Sequence, residues 1–78
     1  MSTRPVKRSL TLKGHRTSVS LEDEFWAEFR RIAREKDIAI NALAARIDAG
    51  REIETGLASA IRLYVLADLR ARLDEAGV

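Results

Sequence analysis

Arg16-Thr17-Ser18-Val19-Ser20-Leu21 is the one clean strand pattern in a chain that otherwise reads as helix. Thr17, Val19 and Leu21 fall on one side of an extended backbone and Arg16, Ser18 and Ser20 on the other, as a period of two requires. One side is apolar and the other offers hydrogen bonds. A single strand leaves its N–H and C=O groups without partners, so a second strand must lie beside it. Almost everything after Leu21 has helical periodicity, which makes the same strand of a second copy the expected partner. The expected fold is mainly α: a homodimer joined by an intermolecular two-stranded antiparallel ribbon. Its outer face would carry Arg16, Ser18 and Ser20 twice, a row suited to DNA base edges.

Upstream, Ser9 to Lys13 alternates too, with Leu10 and Leu12 on one side. The apolar parity is even before Gly14 and odd after it, so the two segments cannot be one straight strand with a single apolar face. Gly14 is therefore a bulge, a bend or a hairpin turn. A Lys13-Gly14 turn would pair the strands within one chain, and with it the need for a second copy and the symmetrical probe would both go. Lysine is not a favoured first residue of such a turn, so the two-chain ribbon is the expectation.

Residues 1–8 read as a flexible basic arm and 9–78 as one domain. Residues 1–20 carry Arg4, Lys7, Arg8, Lys13 and Arg16 and no acid, whereas the rest carries nine basic and twelve acidic side chains. A basic edge on a mildly acidic body fits a polyanionic partner, with Arg4, Lys7, Arg8 and Lys13 as phosphate contacts. His15 is the only histidine, and it fits a solvent or phosphate contact better than a metal ligand.

Glu22 to Lys36 predicts the first helix, with Phe25, Trp26, Phe29, Ile32 and Ala33 on one stripe and acids in its first turn. Ser20 either caps this helix, with Asp23 as reciprocal partner, or stays in the outward row. A turn over residues 37–39 leads to a second helix that carries Ile40, Leu43, Ala44 and Ile47 inward and stops at Gly50. Ala39 supplies no side-chain cap, so free N–H groups near Ile40 and Asn41 make a phosphate clamp. Thr55 is placed to cap a third helix over about 56–76. Its main stripe is Leu57, Ile61, Tyr64, Val65, Leu69 and Leu73, with Leu63 and Leu66 widening it, so it must pack on the first two helices or on a partner.

The chain has 78 residues, 46% hydrophobic and 33% charged, and no cysteine. One small domain whose core benefits from dimerisation is expected. Disulfides and cysteine-ligated metals are excluded, and no apolar run approaches the roughly 18 residues of a membrane span. A cytoplasmic protein is expected. No nucleophile–base pair, phosphate loop or ligand cluster points to an enzyme, a cofactor or a metal.

Strand, helix, turn and helix over residues 15–49 resemble the ribbon-helix-helix DNA-binding proteins, the superfamily of the Arc and MetJ repressors. Lys7-Arg8-Ser9-Leu10, Gly14 to Glu22, Phe25-Trp26, Ile47-Asp48, Leu57 to Arg62 and Val65-Leu66 look like a family of short bacterial ribbon-helix-helix proteins. The likeness covers about Lys7 to Leu69. It implies a transcriptional regulator acting on double-stranded DNA, with Arg16, Ser18 and Ser20 at the bases and Ile40 and Asn41 at phosphate. Ala39 departs from the serine or threonine common there, and the third helix is additional to the minimal fold. An antitoxin-like or adaptor dimer, whose third helix binds a partner protein, is the alternative.

Overall fold

The computed structural model describes residues 4–77, in the order β1 (Val6–Leu12), β2 (His15–Leu21), α1 (Asp23–Glu35), α2 (Ile40–Gly50) and α3 (Leu57–Glu75). The ribbon is present, but both its strands belong to one chain. β1 pairs antiparallel with β2 from Val6↔Leu21 to Leu12↔His15, the hairpin weighed as the alternative partner for the Arg16–Leu21 strand. Lys13 and Gly14 form the two-residue turn, with φ of 51° and 81°. A positive φ at both central positions matches the right-handed twist of the flanking strands. Glycine adopts it freely; lysine does so at a cost that the ladder offsets.

The parity switch at Gly14 has the same origin. Every pair in this register joins an even-numbered residue to an odd-numbered one. The even apolar residues of β1 and the odd ones of β2 therefore share one face. Leu10, Val19 and Leu21 are buried there. β1 begins at Val6, so the expected boundary after Arg8 falls inside the strand; residues 1–3 of the expected arm lie outside the described residues.

Below the hairpin, Phe29, Ile32 and Ala33 of α1, Leu43 and Ala44 of α2, and Ile61 and Val65 of α3 complete a single core. Among the described residues, none that is buried is polar. α1 ends by handing its last carbonyls to the next two N–H groups: Asp37 N–H donates to Arg34 O at 3.1 Å and Ile38 N–H to Ala33 O at 2.9 Å. Asp37 takes the left-handed position, φ 55°, usual for the residue after a helix. That tight reversal brings α2 back beneath β1.

Neither α1 nor α3 begins as the caps predicted. The residue before α1 is Glu22, so Ser20 stays in β2, and Gly56 rather than Thr55 precedes α3; neither makes a side-chain cap bond. Thr55 instead offers its carbonyl to Arg51, 2.8 Å away.

Candidate nucleic-acid interface

The outer face of the hairpin follows from the register. Lys7 faces Ser20, Ser9 faces Ser18 and Thr11 faces Arg16. All six side chains are exposed and none is acidic. Strands lie about 4.8 Å apart, so this double row is narrower than the roughly 12 Å major groove, which admits a two-stranded ribbon. One chain thus displays a two-stranded polar row unaided, and the loss of the probe expected of an internal hairpin does not follow. β1 supplies the partner row that a second copy was expected to bring.

Arg16, Ser18 and Ser20 are therefore where the sequence put them, outward and in solvent. Lys7 joins them rather than leading up to them. Ser9 and Thr11 were missed, although the parity switch contains the signal: once Lys13-Gly14 is a hairpin turn, the odd residues of β1 must face outward. Arg4 and Lys13 are exposed at opposite ends of β1.

Arg8 is a correction. Its even position turns it to the inner face, where its side chain is only 18% exposed. The guanidinium lies over the Trp26 ring, 5.4 Å from the centroid. It is paired with Asp23, and Nη2 donates to Leu21 O at 3.5 Å. A guanidinium stacked and paired in this way braces the hairpin on α1 and is not available to phosphate.

A second arginine does comparable work on the other strand. Arg62 of α3 donates to both carboxylate oxygens of Glu22, from Nη2 at 2.8 and 3.0 Å, and to Ser20 O at 3.3 Å. Its guanidinium lies 5.7 Å from the centroid of the Phe25 ring. A backbone hydrogen bond at Glu22, followed by the Arg62 contact, lowers the Glu22 carboxyl below its ordinary value. The position of Ser20 is thereby fixed through its own carbonyl. No local sequence signal announces a pair 40 residues apart.

The start of α2 is beside the row. The two-residue turn makes Leu12↔His15 a hydrogen-bonded pair, so Thr11, Ser9 and Lys7 direct their backbone groups to the outer edge of β1. There Thr11 N–H donates to Asn41 Oδ1 at 3.0 Å. Asn41 is exposed and Ile40 half-buried. Ala39 gives α2 no side-chain cap, and no acid stands in its first turn. The uncapped helix end and the outward row are thus joined by one hydrogen bond.

A ribbon-helix-helix domain model matches residues 5–69, most of the chain. The chain belongs to the ribbon-helix-helix family. Domains of this family generally bind DNA in transcription regulators or antitoxins, typically dimerise and are typically non-enzymatic. Comparison with curated proteins and with solved structures found no match. The family match ends within α3, and the last turns of that helix lie beyond it. Among the described residues, no helix is long and apolar enough to cross a membrane and no His, Cys, Asp and Glu group is arranged to hold a metal ion.

Proposed function

We propose that this ribbon-helix-helix protein is a sequence-preferring DNA-binding protein, a cytoplasmic transcriptional regulator that lays the outer face of its hairpin in the major groove. The observation that carries the reading is the six-residue outward row, Lys7, Ser9, Thr11, Arg16, Ser18 and Ser20, polar throughout and free of acids. Arg16 has the length and the planar fork to donate twice to guanine O6 and N7. Ser9, Thr11, Ser18 and Ser20 add short contacts, and Arg4, Lys7 and Lys13 supply attraction that is blind to sequence. Ile40 and Asn41 offer the free end of α2 to a phosphate beside the groove.

Selection of binding sites from random duplexes tests this directly. An enriched consensus is expected, bound with an affinity that falls as salt rises. Absence of enrichment, with binding to selected and random duplexes alike, would remove the sequence preference from the proposal.

An antitoxin-like or adaptor role for α3 is the second reading, favoured by the leucines that α3 leaves in solvent. Of the main stripe of α3, Ile61 is fully buried and Leu57 and Tyr64 are half-buried against the core, so such a partner would meet the outer leucines instead.

A further inference from the structure

The last turns of α2, the connector after them and the first half of α3 border a cleft of about 550 Å³ that no residue of the hairpin lines. Half-buried Ile47, Ala60 and Tyr64 and exposed Leu63 make its apolar wall. Clefts of roughly 300–1,000 Å³ with such a wall and a few polar groups take small molecules. The rim of this one is braced from within the chain. Arg51 donates from Nε to Asp48 Oδ1 at 2.8 Å and from Nη1 to Thr55 O at 2.8 Å, which ties the end of α2 to the approach of α3. A ligand therefore meets a connector already in place and does not have to order it.

Charge narrows what can fit. Arg51 is committed to Asp48. Arg46 and Glu52 also line the cleft, and both are exposed. Among the described residues neither has an ion-pair partner, and they do not pair with each other. A cation and an anion thus border one apolar space without neutralising each other. An apolar acid would satisfy Arg46 and bring its own charge beside Glu52; an apolar amine would meet the reverse fault. A molecule that carries both charges at one end of an apolar body answers all three features.

We propose that this cleft is a binding site for a free amino acid with a large apolar side chain. The α-carboxylate accepts hydrogen bonds from the Arg46 guanidinium, whose fork matches it. The α-ammonium donates to the Glu52 carboxylate, and the side chain covers Ile47, Leu63 and the Tyr64 ring. The outward row of the hairpin takes no part in this contact, so the inference stands apart from the DNA-binding proposal.

Titration of the isotope-labelled full chain with L-phenylalanine and with L-leucine, followed through its backbone amide resonances, tests this. Both should give saturable shifts centred on Ile47, Gly50, Thr55 and Ala60 at about 10 mM ligand or below. Phenylalaninamide, which lacks the carboxylate, and N-acetylphenylalanine, which lacks the ammonium, should each bind at least about 5-fold more weakly than phenylalanine. Glycine, with both charges and no side chain, should give no saturable shift over the same range. Arg46→Gln should abolish the preference over the amide, and Glu52→Gln the preference over the acetyl compound, with circular-dichroism spectra unchanged. The absence of saturable shifts with either amino acid, or shifts centred on the hairpin, would overturn the proposal. So would equal affinity for phenylalanine and glycine, equal affinity for phenylalanine and its blocked forms, or preferences that survive both substitutions.

Discussion

The two faces of the hairpin are made from the same fourteen strand residues and do opposite things. The inner face is closed: Leu10, Val19 and Leu21 are buried, and Arg8 is folded over Trp26. The outer face is open, and none of its six side chains contributes to the core. Two arginines eight residues apart show the difference. Arg8 is committed to α1 and to the backbone of β2, whereas Arg16 stands in solvent opposite Thr11. Substitutions on one face should therefore change stability, and those on the other should change binding.

The sharpest test is Leu21→Ala. Truncating a fully buried leucine should cost about 2–5 kcal/mol of stability, visible as a lower denaturation midpoint, with DNA affinity per folded molecule retained. The opposite experiment is Arg16→Ala, which should leave thermal unfolding unchanged and cost about 1–3 kcal/mol in binding to a selected duplex. An equal loss on a random duplex would show that Arg16 is attractive rather than discriminating. Next comes the pair Arg8→Ala and Lys7→Ala. Arg8→Ala should destabilise by roughly 1–2 kcal/mol, mostly through lost packing on Trp26 because its Asp23 partner is exposed. The slope of log affinity against log salt should then stay unchanged, whereas Lys7→Ala should lower that slope by about one contact.

Smaller effects test the ends of the hairpin. Lys13→Asn should stabilise by about 0.5–1 kcal/mol in chemical denaturation, since asparagine tolerates the left-handed conformation better than lysine. The smallest is a pH effect at Glu22. Its folded-state carboxyl sits below the ordinary value of 4.5, so its contribution is complete above that pH and is lost as acid takes the folded group through its lowered titration. Glu22→Gln should flatten the acid limb of the stability curve and leave the neutral region almost unaltered.

How much of this was legible in the sequence can be traced residue by residue. The helices were, because Phe29, Ile32, Leu43 and Ile61 recur at helical spacing, and the outward direction of Arg16, Ser18 and Ser20 followed from alternation alone. The pairing of the strands was not. The choice rested on the poor fit of lysine to a positive φ, a local penalty, whereas seven cross-strand pairs and a shared apolar face outweigh it. Arg8 was misplaced because residues 1–8 were read as an arm; with β1 beginning at Val6 it shares the parity of Leu10 and Leu12 and must face inward. The bonds from Arg62 to Ser20 and from Asn41 to Thr11 span 42 and 30 residues, and no pattern within a single element encodes them.

Those last two bonds have a consequence beyond positioning. A two-stranded hairpin normally offers both margins to neighbouring molecules, and unlimited stacking into fibrils needs both. Here Asn41 occupies a donor part-way along the β1 margin, whereas Arg62 takes an acceptor only at the far end of the β2 margin. Open-ended polymerisation needs both margins and is obstructed at β1, which leaves a small protein free to keep a polar ribbon permanently on display.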